Sequence, residues 1–246
     1  MPHEEVSIRT ASGLCTAHVL SPEGAGPWPA AIFFGDAGGM RPAMMDMAQR
    51  LANAGYLVLL PDLFYRHGAY GPLVPAEVFA GDTMAILGPL IASTGTGKMR
   101  EDTGAFLNYL DTRQDVKGTS VCAVGFCMGG GLALAAASAF PGRFAAVASF
   151  HGGNLATGAA DSPHRLAGSI TAEVYIAAAE NDDSYPPEMA ERLEAALKEH
   201  GVRYTAATYT GAAHGWMVPD FPTYQESAAH QGWQALQNLF ARNLDK

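Results

Sequence analysis

Three residues stand in the order that nucleophilic catalysis needs: Cys127, a carboxylate near position 182, and His214. Cys127 is the centre of Gly125-Phe126-Cys127-Met128-Gly129-Gly130, which closes the apolar, strand-like run Thr119 to Val124 and opens the Ala-rich helical run Leu132 to Ala139. A strand, a glycine-flanked nucleophile and a helix make a nucleophile elbow, in which the glycines leave room for a tight, strained turn. A thiol at a helix N-terminus feels unpaired N–H groups and the positive end of the dipole, and both favour the reactive thiolate. The competing reading of a lone cysteine is a small buried hydrophobe. It loses weight here because this arrangement requires an acid and then a base downstream, and both are present.

The acid lies in Ala179-Glu180-Asn181-Asp182-Asp183-Ser184, after the strand-like stretch Ala172 to Ala177 and before an amphipathic helix predicted over Pro187 to His200. A carboxylate in such a loop reaches the carboxyl edge of the sheet. Asp182 is assigned to chemistry, and Asp183 or Ser184 to solvent or to capping the helix that begins at Pro186 or Pro187. The base is His214 in Gly211-Ala212-Ala213-His214-Gly215-Trp216, between the strand-like Tyr204 to Tyr209 and a final helix predicted over Thr223 to Asn243. Of the other histidines, only His151 follows an apolar strand, and it is read as a pocket-lining residue. An oxyanion hole would take the N–H of Met128, after the nucleophile, and a second N–H from the loop Gly35-Asp36-Ala37-Gly38-Gly39. Ala37 is the first choice there and Gly38 the reserve.

The chain resembles the dienelactone hydrolase family, the Cys-His-Asp branch of the α/β-hydrolases. The resemblance spans nearly the whole sequence. It rests on residues 125–130, on Arg50-Leu51-Ala52-Asn53-Ala54-Gly55-Tyr56 running into Leu60-Pro61-Asp62-Leu63-Phe64-Tyr65-Arg66, on the Asp182 loop with Pro186-Pro187-Glu188, and on His214-Gly215-Trp216. It implies one α/β-hydrolase domain over residues 1–246, acting as a carboxylic ester hydrolase that opens a lactone or related ester through a covalent thiol ester, without cofactor or metal. Two departures stand out. Asp36 occupies the loop where the family commonly has a Glu that interacts with the resting cysteine, so Asp36 either modulates the nucleophile at closer range or only orients the loop. In addition, the Arg that family members acting on carboxylate-bearing lactones carry after the histidine is replaced by Trp216-Met217-Val218. Arg41 and Arg66 are the candidate replacements, because a guanidinium pairs bidentately with a carboxylate. Phe126, Met128, Trp216 and Phe64 are candidates for an apolar pocket wall.

The elements that must position these groups alternate along the chain. Strands are predicted near Glu5 to Arg9, Leu14 to Leu20, Ala30 to Phe34, Tyr56 to Leu60, Ser120 to Val124, Ala145 to Phe150, Ala172 to Ala177 and Tyr204 to Tyr209. That rhythm reads as a mostly parallel sheet of about eight strands with helices on both faces, the first two runs forming an antiparallel hairpin. The Gly-, Pro- and Ala-rich segment from His67 to Gly97 breaks the rhythm, with helical patches near Pro75 to Phe79 and Asp82 to Leu87, ahead of a helix over Lys98 to Leu110. Because it leaves the carboxyl edge of the sheet, it is expected to form part of the pocket wall.

Composition narrows the function class. A chain of 246 residues with 48% apolar content can bury one good-sized core. A formal net charge of −9 argues against a nucleic-acid surface. No apolar run approaches the ~20 residues of a membrane span, and the N-terminus has no signal-peptide pattern, so the protein is read as cytoplasmic, acting on a small-molecule ester or lactone as a monomer or small homo-oligomer. Cys15 and Cys122 are read as inert and packed. Two other functions fit the same residues: a thioesterase or other acyl hydrolase on this scaffold, and a non-catalytic ligand-binding module.

Overall fold

Side chains along each central strand alternate between two apolar layers. Ile32, Leu59, Ala123, Val147 and Val174 face one layer, while Phe33, Val58, Val124, Phe150 and Tyr175 face the other. The computed structural model describes residues 2–244. Its strands are β1 (His3–Thr10), β2 (Gly13–Leu20), β3 (Trp28–Phe34), β4 (Leu57–Pro61), β5 (Val116–Phe126), β6 (Phe144–Phe150), β7 (Glu173–Asn181) and β8 (Tyr204–Ala213). They form one eight-stranded sheet in the order β1-β2-β4-β3-β5-β6-β7-β8. The β1–β2 hairpin and the β2–β4 pair are antiparallel, and every other pair is parallel. This is the α/β-hydrolase architecture.

Helices α1 (Pro42–Asn53) and α7 (Glu226–Asn243) pack on one face, with Met44, Leu51, Trp233 and Leu236 in the layer of Phe33. On the opposite face lie α4 (Thr96–Asp111), α5 (Met128–Ala139) and α6 (Pro187–Glu199). Helix α1 was not among the sequence expectations, although Pro42 opens it and Met44, Met47, Ala48 and Leu51 give it one buried stripe. The segment from 67 to 97 folds into α2 (Pro75–Ala80) and α3 (Thr83–Ser93), the latter capped by Asp82, which accepts from the Ala85 N–H at 3.0 Å. Among the described residues, no helix is long and apolar enough to cross a membrane.

Among the element boundaries that differ from expectation, three matter for the site. Helix α5 starts at Met128, not Leu132, because Gly129 and Gly130, poor helix formers by propensity, are required by close packing. A Cβ on Gly129 would collide with the Phe34 and Gly35 carbonyls, and one on Gly130 with Ser149. Strands β7 and β8 run past Ala177 and Tyr209 to pair Asn181 with Ala213 across a bulge. Polar Glu180 and Asn181 hide that extension in the sequence, and Glu180 stabilises it by accepting from the Gly211 N–H at 2.7 Å. Asp182 and His214 are the next residues on these two adjacent strands.

Candidate active site

β3 is flanked by β4 and β5, so the chain reverses its direction of travel across the sheet there, and the crevice beyond the carboxyl ends of β3 and β5 is where ligands bind in open α/β sheets. The loop after β3 carries Ala37 and the turn after β5 carries Cys127. Cys127 has φ 55° and ψ −123°, a left-handed conformation between strand and helix. A Cβ on Gly125 would strike the backbone of Gly129, and one on Gly129 the Phe34 and Gly35 carbonyls, which is why the turn needs glycine on both sides of Cys127. Among the described residues, three non-glycine residues have φ in this region, Cys127, His151 at 38° and Asn154 at 56°, and all belong to this end of the sheet. Such backbone strain, on the order of 1–3 kcal/mol per residue, concentrates at functional sites.

His214 Nδ1 lies 2.8 Å from Oδ2 of Asp182. The same nitrogen is 3.1 Å from Oγ of Ser184. Ser184 in turn donates to Asp182 Oδ1 through its hydroxyl at 2.6 Å and its backbone N–H at 2.9 Å. Burial opposes charge on Asp182, yet the hydrogen bonds from His214 and Ser184 outweigh it and hold the carboxyl below the usual carboxylate range. Burial likewise opposes a charged His214, but hydrogen bonds with Asp182 and with the Cys127 sulfur raise its pKa to about 10. The imidazole is therefore held as imidazolium beside the sulfur. Asp183 is exposed. Neither aspartate nor Ser184 caps α6, whose N-cap is Pro186 with no side-chain bond; Ser184, expected in solvent or at the cap, instead steadies the acid.

Cys15 and Cys122 are fully buried, and burial, the largest influence on each, raises both thiols far above an ordinary cysteine. Cys127 alone of the three is partly accessible.

His151, expected to line the pocket, is fully buried. Its Nδ1 accepts from the Cys127 N–H at 3.2 Å, which leaves the proton on Nε2. Burial first, and then the neighbouring His214 charge, push it well below the ordinary histidine value, so it is a neutral prop beneath the elbow. Phe126 is also core, stacked on Phe33 at 4.9 Å and on Phe150 at 5.6 Å. Trp216 is turned inward by the tight bend from Ala213 to Val218 and stacks on Tyr209 at 4.2 Å. Both side chains follow the sheet's inner layer and touch neither site cavity.

The two candidate arginines are committed elsewhere. Arg41 grips Asp36 bidentately at 2.7 and 2.8 Å, and contacts Asp220 at 2.8 and 3.0 Å. Asp36 also accepts from the Gly38 N–H at 2.8 Å, so its carboxylate is used in holding the Ala37 loop. Of the two roles left open for Asp36, this contact set favours orienting the loop. Tyr70 braces the same loop, accepting from the Met40 N–H at 3.1 Å and donating to Asp62 at 2.6 Å. Arg66 is paired bidentately with buried Asp102 at 2.7 and 2.8 Å.

Two cavities meet at Cys127, His214 and Ala37. The larger, of about 310 Å³, is also bounded by Met128, Thr94, Thr96, Asn154 and Ser184. The smaller, of about 120 Å³, is walled by Pro75, Val78, Phe79, Leu87 and Phe221. The segment from 67 to 97 supplies wall to both, as its exit from the sheet edge suggested. Thr94 lies in that segment, in which no single wall residue was singled out from the sequence, and Asn154 was not anticipated, although the Gly152-Gly153-Asn154 turn after a strand was a legible signal for it.

The "Dienelactone hydrolase family" profile matches residues 15–244. The chain belongs to the dienelactone hydrolase family. By family it is thus a carboxylic ester hydrolase. It is 28% identical over 232 residues to a Synechocystis protein named "Putative carboxymethylenebutenolidase", covering 92% of this chain and 91% of the relative. A Mus musculus "Carboxymethylenebutenolidase homolog" is 29% identical over 172 residues, 70% of this chain and 63% of the relative. The crystal structure of a Klebsiella pneumoniae protein described as "Putative Dienelactone Hydrolase" superposes with a TM-score of 0.86 at 23% identity, covering 98% of each chain, which establishes the shared fold.

Proposed function

We propose that the protein hydrolyses carboxylic esters or lactones through a covalent acyl-enzyme on Cys127. The observation that carries this reading is the partly accessible sulfur at the tip of a strained elbow, beside an imidazole that Asp182 holds charged. In the first half-reaction the thiolate attacks the substrate carbonyl carbon, a C–S bond forms, and the oxygen becomes an oxyanion. The N–H groups of Met128 and Ala37 are proposed to receive that charge. Met128 is the first residue of α5, where helical N–H groups have no partner within the helix. The C–O bond then breaks as His214 gives its proton to the departing oxygen. In the second half-reaction His214 takes a proton from water, the hydroxide attacks the thioester, and the thiolate leaves. Asp182 keeps the ring oriented throughout.

The test is to mix enzyme with an activated ester, quench within the first turnover, and find the acyl group by mass spectrometry. An adduct on the peptide carrying Cys127, and a loss of roughly 10³-fold or more in rate for Cys127→Ala with the fold retained, are expected. Full activity in Cys127→Ala would overturn the reading.

A further inference from the structure

Around the sulfur, the walls of both cavities carry no Lys, Arg, Asp or Glu among the described residues. The two arginines near this edge of the sheet are each saturated by internal carboxylates, Arg41 by Asp36 and Asp220, Arg66 by Asp102. A carboxylate arriving with a substrate would lose its water and meet only the His214 charge, which Asp182 and the Cys127 sulfur already take up. Away from that pair the two cavities differ in character. The smaller is apolar and the more enclosed, and its 120 Å³ is somewhat less than a cavity that accepts benzene. That volume suits three or four carbon atoms. The larger has mostly apolar walls, Ile91, Met128, Leu132 and Pro163 among them, with Thr94, Thr96, Asn154 and Ser184 as its uncharged polar residues.

We propose that the substrate is an uncharged, open-chain ester whose short apolar acyl chain, of about three or four carbons, sits among Val78, Phe79, Leu87 and Phe221. The acyl chain takes the more enclosed cavity because it stays attached to Cys127 while the alcohol departs and water enters, and the larger, more open cavity is the exit. This inference rests on the acyl-enzyme reading above.

The discriminating pair is p-nitrophenyl butyrate and mono-p-nitrophenyl succinate, which differ in replacing the terminal methyl by a carboxylate. Butyrate is expected to exceed succinate by on the order of 100-fold in kcat/KM, since leaving a buried charge unpaired costs several kcal/mol, and to exceed octanoate as well. Phe79→Ala, at a half-exposed wall position, should raise the octanoate rate relative to butyrate, and Leu87→Phe should shift the optimum to acetate. Equal or better turnover of the succinate ester, or a chain-length profile indifferent to both wall substitutions, would overturn the proposal while acylation of Cys127 continued. Turnover with no acylation of Cys127 by any ester would instead bring down the acyl-enzyme reading itself.

Discussion

Ser184 donates its hydroxyl proton to one carboxylate oxygen of Asp182 at 2.6 Å, while the other oxygen of Asp182 faces His214 at 2.8 Å. Asp182, the proposed acid, is thus held from both sides. This arrangement separates three neighbours that sequence alone leaves interchangeable. Asp182→Asn should lower kcat by roughly 10²–10⁴-fold, because an amide no longer fixes the imidazole tautomer or stabilises its charge. Ser184→Ala should cost about tenfold, the scale of one hydrogen bond to a charged group. Asp183→Asn, exposed, should be near neutral. Steady-state kinetics of the three variants check the ranking, and a dominant effect at Asp183 would move the acid there.

The Arg41–Asp36 pair makes a second prediction. Both side chains are essentially buried, at 1% and 0% exposure, so removing the Asp36 charge leaves Arg41 with Asp220 as its one carboxylate partner. Asp36→Asn should destabilise the fold by about 3 kcal/mol, the low end of the cost of breaking a buried pair, and lower kcat by loosening the Ala37 loop, whereas Asp36→Leu with Arg41→Met should recover much of the stability. Denaturant titrations of the single and double variants measure this. A single variant as stable as the parent would mean the pair does not brace the loop.

A third concerns pH. His214 has a folded pKa of about 10 against an ordinary value of 6.5, so the native state holds its proton more tightly than the unfolded chain. Its stabilising contribution is complete below about pH 6.5 and lost as pH rises towards 10. Wild type should lose more stability between these limits than His214→Gln, measured by denaturant midpoints at each pH. Activity should fall on the same alkaline limb as the imidazolium loses the proton needed by the leaving oxygen. In Cys127→Ala the His214 titration, followed by NMR, should move to lower pH, since the sulfur helps to raise it.

Backbone crowding at the elbow gives the fourth. Gly129→Ala places a methyl against the Phe34 and Gly35 carbonyls, which cannot yield without moving β3 and the Ala37 loop. A loss of 1–3 kcal/mol or more in stability is expected, with activity falling further than stability alone explains. Thermal melts beside kinetics at a temperature where the variant is folded separate the two effects.

What the amino-acid sequence determined by itself is local or patterned. Alternating apolar runs with helical spacers specified a mostly parallel sheet, and the Gly-x-Cys-x-Gly turn between strand and helix marked Cys127 without reference to anything distant. The order of Asp182 and His214 after it followed from chain direction, because both sit where strands end. Tertiary structure decided everything that depended on which partner a polar group meets. Asp182 and His214 touch because β7 and β8 pair through Asn181 and Ala213 beyond their apolar cores, an extension invisible to hydrophobic periodicity. Ser184 looked like a helix cap and became the acid's support, because the turn from Asp182 folds its hydroxyl back and Pro186 opens α6. Arg41 and Arg66 had the right chemistry for a substrate carboxylate, but Asp36 from the neighbouring turn, and Asp220 and Asp102 from far along the chain, reached them first. His151, Phe126 and Trp216 had pocket-like types, yet the inner face of the sheet claimed their rings. Charge pairing and ring burial are settled by three-dimensional proximity, and a linear chain does not record proximity between residues far apart along it.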